Sequence, residues 1–260
     1  MELNRFTSVF CKFSTYSWSF ILFIFLTFGC TESNTTQPKD LTLFSEAYLR
    51  AIQQNEKTTS FQDSLQDVSL SSLTELCEDN EAHLAFWLNI YNASVQVRLA
   101  QNLDKYANRD RFFNERWISI SGEKISLNDI ELGILGRGKK GEFIAKLQTK
   151  QFDPRIHFAL NCGAASCPPI RVYTKKNIQK ELEAATRQFL LNNSSYTQFS
   201  NTLKVDELLK WYAADFGGTN GIIALHQRYG IVPLGVNPTV VFSAYDWTVK
   251  SKAFDSSKTN

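Results

Sequence analysis

Residues 153–173, Asp-Pro-Arg-Ile-His-Phe-Ala-Leu-Asn-Cys-Gly-Ala-Ala-Ser-Cys-Pro-Pro-Ile-Arg-Val-Tyr, hold the residue types most able to do chemistry in this chain. His157 lies on a strand-like apolar run, and Cys162 and Cys167 follow in a loop stiffened by Pro168 and Pro169. A strand that delivers a thiol into a rigid loop can position a nucleophile, provided that a base or a helix N-terminus depresses the thiol pKa. The same spacing, four residues between the cysteines, can also close a small disulfide.

The histidines set the terms of the first reading. If residues 155–161 form an extended strand, His157, Ala159 and Asn161 share one face and Cys162 takes the other. Five residues at about 3.3 Å would then separate His157 from Cys162 by roughly 16 Å. Only a sharp turn at Asn161 brings them together. His83 is expected to be exposed at a helix start, and His226 to be a packed or surface residue of a late helix. The sequence has no Cys-x-x-Cys, no His-Glu-x-x-His and no Gly-x-Ser-x-Gly, so zinc, thioredoxin-type redox chemistry and a serine triad gain no support. No cofactor is implied.

The elements that must hold these residues are mostly helical. Leu41–Gln54 has helical spacing, and a weaker stretch covers Phe61–Leu76. Asn80–Asn102 is apolar around most of its circumference, which predicts a central buried helix, with Asn80 as its N-cap. Asn89, Asn92 and Gln96 form a polar stripe on it, at the spacing of one helix face. Buried amides at that spacing brace neighbouring loops or line a cavity. Trp117–Ile120 and Lys124–Ile125 read as short strands, and Ser126-Leu-Asn-Asp129 has the spacing of a capping box opening a helix through Leu135. Asp129 and Glu131 resemble a carboxylate pair, but Asp129 already has the ordinary task of starting a helix. Further helices are expected over Lys176–Leu191, after Asp206 (carrying Trp211 and Tyr212) and over Thr219–Tyr229, with strands at Leu203–Val205 and Val240–Ala244. The irregular order of helices and strands predicts an α+β domain, helix-rich around a small, mostly antiparallel sheet.

The first forty residues speak to location. Weakly basic Arg5 and Lys12 precede an apolar run, Trp18–Phe28, of about 11 residues, against the roughly 20 a spanning helix needs. That run fits a secretory signal. Leu26-Thr-Phe-Gly-Cys30 resembles a bacterial lipobox, although the leucine lies one place early and Phe28 is large. The expectation is a signal peptide over 1–29, a lipidated Cys30 anchoring the protein to a membrane of the bacterial cell envelope, a flexible tether over 30–40 and one globular domain over 41–260. A plain signal peptide or an uncleaved anchor is the other reading. Formal net charge is only +2 among 28 basic and 26 acidic residues, with no basic stripe, so nucleic acid is not an expected partner. Arg137-Gly-Lys-Lys-Gly141 lacks the spacing of a phosphate-cradling loop.

Four motifs in order, Ala85-Phe-Trp-Leu-Asn-Ile-Tyr-Asn-Ala93, Ile125–Leu135, Asp153–Tyr173 and Tyr245-Asp-Trp247, resemble the domain-of-unknown-function 547 family over about residues 60–250. The resemblance implies an envelope protein without an established activity, and it directs attention to Asn89, Asn92, His157, Cys162 and Cys167. Many relatives carry a histidine after the Ile-Glu of the second motif; Leu132 stands there in this chain, so no role carries over to it. There is also a distant likeness to papain-like and transglutaminase-like thiol enzymes. Two functions follow. One is a non-catalytic binding module for a small molecule or peptide, its loop braced by a Cys162–Cys167 disulfide. The other is a thiol-dependent hydrolase or acyl transferase, with Cys162 as nucleophile, His157 as base, and Asn89, Asn92 or Asn161 in support.

Overall fold

Helix α4, Asn80–Gln101, is the axis around which the chain is built, and every residue from Ala82 to Leu99 on it is buried. Its apolar circumference requires neighbours on all sides, and α1 (Leu41–Gln53) lies along it. The computed structural model describes residues 38–138 and 141–256. The expected signal segment, Cys30, all but the end of the expected tether, and Lys139 and Lys140 of the basic cluster fall outside these residues. All described residues belong to one compact unit.

Between α1 and α4 come α2 (Thr59–Gln66) and α3 (Leu70–Leu76). The single stretch expected over 61–76 is thus two helices, because the Ser69 side chain accepts from Ser72 N and starts a second one. Asp79, not Asn80, caps α4, accepting from Glu81 N and Ala82 N. After α4 the chain runs through α5 (Arg109–Asn114) into an antiparallel hairpin, β1 (Ile118–Ile120) with β2 (Glu123–Ile125), in register Ser119 to Lys124.

Ser126 and Asp129 then form the expected reciprocal cap. Ser126 N donates to Asp129 Oδ2 and Asp129 N to Ser126 Oγ, each at 3.0 Å. What they open is a π-helical turn, Asp129–Ile134, rather than an α-helix. Such wide turns are rare and recur at functional sites. Gln148 holds it in shape by donating to the carbonyls of Gly133, Gly136 and Gly138. A Cβ at Gly136 or Gly138 would meet the Leu132 carbonyl oxygen at 2.7 or 2.6 Å, so the chain can fold back only as glycine there.

The C-terminal half follows α6 (Glu142–Leu147) with a 3-10 turn at Pro154–Phe158, then α7 (Ile178–Asn193), β3 (Ser195–Thr197), β4 (Thr202–Asp206), α8 (Leu208–Trp211), a second 3-10 turn at Ala213–Phe216, α9 (Gly218–Arg228) and β5 (Thr239–Ser243). The sheet β3-β4-β5 pairs antiparallel on one side of β4 and parallel on the other. The fold is therefore α+β and helix-rich, with two small sheets where one was expected. Tyr212 lies just past the end of α8 and not within it. Two apolar clusters make up the core, one around α1, α4 and the π-helical turn, the other around α7, β4 and α9.

The segment 155–161 departs most from its sequence reading. It opens as a 3-10 turn through Phe158 and runs on irregularly to Asn161, not as a strand. Asp153 caps it by accepting from Arg155 N at 2.9 Å, and Pro154 at the first position presets a helical φ. The extended preference of Ile156, His157 and Phe158 is overruled by these two neighbours.

Candidate functional site

The seam between the two core clusters opens into a pocket of about 200 Å³. Its wall draws Tyr91 from α4, Glu131 and Leu132 from the π-helical turn, and His157 from the first 3-10 turn. Cys162 comes from the loop beyond, Trp211 and Tyr212 from the end of α8, and Tyr245 and Trp247 from the segment after β5. His157 and Cys162 thus face one pocket, against the expectation of opposite faces, because the chain between them is coiled rather than extended. A roomier cleft of about 380 Å³ lies by Asp40 and Asp79, but the Lys175 ammonium already pairs with Asp79 there at 2.6 Å.

Cys162 and Cys167 are joined, with S–S at 2.08 Å, so in this oxidised form Cys162 has no thiol to attack with. Their loop is positioned from beneath. Asn92 donates to the Ala159 carbonyl at 3.1 Å and accepts from Asn161 N at 2.8 Å, reading one stretch of backbone with both ends of its amide. Asn161, wholly buried, then donates to the Pro168 carbonyl and accepts from Gly163 N. Gly163 takes a φ of +88°, and a Cβ there would sit 2.7 Å from Leu99 Cδ1. Asn89 grips Tyr173 in the same two-ended way, at 2.8 and 2.9 Å, and Gln96 holds Asn161 and the Lys252 amide. The amide stripe therefore braces loops, the first of the two roles open to it.

From above, the segment after β5 is strapped over the loop. Ala165 N donates to the Thr248 carbonyl and Lys250 N to the Gly163 carbonyl, each at 2.8 Å. This register sets the Tyr245 hydroxyl 3.1 Å from Cys162 Sγ and 3.2 Å from Cys167 Sγ. Tyr245, Trp211 and Trp247 pack ring on ring, with centroids 4.8 to 5.6 Å apart, and form the aromatic side of the pocket.

His157 is 5 % exposed, with its ring stacked on Tyr212 at 3.7 Å between centroids. Its Nε2 is 2.9 Å from Asp215 Oδ2, and its Nδ1 has no partner. Burial pushes the imidazole pKa below the ordinary value, and the pull of Asp215 only partly opposes it. Asp215 is itself matched by the Arg137 guanidinium. In the neutral ring Nε2 then carries the proton and donates it to Asp215. His83, expected to be exposed, is buried with Nε2 2.8 Å from the Leu147 carbonyl, and His226 is buried between the Ile222 carbonyl and Ser194 Oγ. Neither lines the pocket.

Glu131, set aside in the sequence with Asp129 as an unpromising carboxylate pair, is a member of the site. It sits half-buried in the wall and accepts hydrogen bonds from Tyr91 at 2.7 Å and Tyr212 at 2.5 Å. Burial, together with the Glu131 charge, raises the Tyr91 hydroxyl pKa, and the Glu131 charge is the leading cause for Tyr212. Both phenols remain protonated donors. The faint signal was the capping box: a helical start at Asp129 makes Asp129 a cap and frees Glu131, two residues on, for another face. Asp129 pairs with Arg116 at 3.1 Å, away from Glu131's partners. Among the described residues no group of three or more His, Cys, Asp and Glu is arranged to hold a metal ion, and no helix is long and apolar enough to cross a membrane.

Comparison with known proteins found no match among curated proteins or solved structures. A family match exists but is narrower than the four motifs, leaving Tyr245-Asp-Trp247 outside it. Residues 75–190, which carry α4, the π-helical turn and the disulfide loop, match the family described as protein of unknown function, DUF547.

Proposed function

We propose that this protein is exported, held by lipid on Cys30 to a membrane of the bacterial cell envelope, and binds a small molecule or a peptide side chain without transforming it. The observation that carries the reading is the pocket itself: a recess of about 200 Å³, walled by aromatic rings, with a few convergent polar groups and a disulfide at its edge. Ring-rich walls of this kind give binding area at low conformational cost. The bridged cysteines support the non-catalytic form. With Cys162 bonded to Cys167 and His157 engaged by Asp215, the oxidised protein presents no thiolate–imidazole pair.

Two measurements test it. Protein purified from the envelope without reductant, treated with iodoacetamide across a pH series and read by peptide mass, should show residues 162 and 167 unlabelled until reduced. A free Cys162 that alkylates well below the roughly 8.5 of an ordinary thiol returns the thiol enzyme. For the anchor, Cys30→Ser should abolish labelling by radioactive palmitate and move the protein from the membrane to the soluble fraction; a variant that stays in the membrane refutes lipid attachment at that residue.

A further inference from the structure

Among the described residues the pocket has a charge without a counter-charge. Glu131 is the one lining residue that is acidic, and none is lysine or arginine. Its two oxygens are held by the Tyr91 and Tyr212 hydroxyls, which orient a carboxylate but do not neutralise it. Among the described residues no lysine or arginine pairs with it. Asp215, close behind His157, shows the contrast, because Arg137 is bonded to it. A guanidinium on the aromatic wall, Arg109, lies over the Trp247 ring at 4.7 Å from the centroid and not on the carboxylate. His157 is kept neutral by burial and supplies no positive charge at neutral pH.

A half-buried carboxylate among aromatic faces, already fitted with hydrogen-bond donors, is completed by a cation. The negative faces of the rings attract positive charge, and each carboxylate oxygen keeps a lone pair for an N–H donor. Size narrows the class further. An apolar cavity of about 150 Å³ holds benzene, so the recess here has room for one ring or a short alkyl chain carrying a head group.

We infer that the pocket takes a protonated amine with a small apolar body, its ammonium against Glu131 and its body against the Trp211, Tyr245 and Trp247 wall. This rests on the binding-module reading above and names its ligand class. A free amine and a lysine side chain of a peptide share this chemistry.

The test is calorimetric titration of the full chain in detergent with four probes: phenethylamine, its neutral counterpart 2-phenylethanol, phenylacetate, and the lysine mimic Nα-acetyl-lysine amide. Phenethylamine should bind at least about tenfold tighter than the alcohol, a factor that one charge-assisted contact supplies, and phenylacetate should be weakest. Glu131→Gln should bring amine and alcohol to within about twofold of each other. Tighter binding of the lysine mimic than of phenethylamine assigns the ammonium to a peptide and still supports the inference. Equal binding of amine and alcohol to the wild type overturns the cation while leaving the pocket as a binding site. No binding of any probe overturns both. Because the wild-type comparison decides by itself, the result stands even where the Gln variant does not fold.

Discussion

Asn92 uses both ends of one amide on the backbone of Ala159 and Asn161, in a place with no solvent. Truncating it leaves a buried carbonyl and a buried N–H unpaired, each costing about 1–3 kcal/mol. Asn92→Ala should therefore lower unfolding stability by about 2–6 kcal/mol in urea titration, and Asn92→Asp, which sets a carboxylate against the Ala159 carbonyl with no solvent around it, should lose at least as much. A loss under about 1 kcal/mol for the alanine variant shows that the loop holds itself. This contact was legible in the sequence, because three amides on one face of an apolar helix have no cheap alternative to a partner. The pairing of Glu131 was not. Its donors lie 40 residues upstream and 81 downstream, and His157 meets an aspartate 58 residues on. Spacing along a chain encodes which residues share a helix face, and it is silent on which distant face is folded against them.

At the scale of elements, the short turns decide where the site residues point. The turn at 154–158 exists because Asp153 caps it and Pro154 starts it. Asp153→Ala should cost about 1 kcal/mol and shift the His157 imidazole resonances by NMR; unchanged resonances mean that the stack on Tyr212 alone places the ring. The disulfide loop makes a second case. A bridge closing so short a loop contributes roughly 2 kcal/mol in the chain-entropy account. Reduction should thus lower stability by about that much without unfolding the domain, and a much larger loss shows that the pocket wall depends on the bridge. Long periodic elements such as α4 and α7 were readable because their pattern repeats over several turns. The stretch 155–161 misled because its apolar residues favour a strand while its two capping residues act locally and first.

The whole molecule carries three histidines, all buried, and burial holds the pKa of each below its ordinary value, for His83 at about 4. In the unfolded chain they titrate near 6.5. The unfolded state therefore binds more protons between these values, so their contribution to stability is complete above about pH 6.5 and is lost as pH falls toward 4. His83 alone accounts for on the order of 3 kcal/mol across that window. Chemical denaturation at pH 7.5, 6 and 4.5 should show the decline, and His83→Gln should flatten it; a flat profile for the wild type shows that the histidines are solvated.

The strap from Tyr245 to Lys250 has a consequence in time. Cys162 and the tyrosine that touches it are 83 positions apart, so a chain made from its N-terminus has both cysteines in hand long before that ring arrives. Thiol oxidation can precede the aromatic wall. The recess is complete only once Trp247 has been made, and a chain cut short after β5 keeps the segment that matches the family but lacks the Tyr245 and Trp247 rings of the wall.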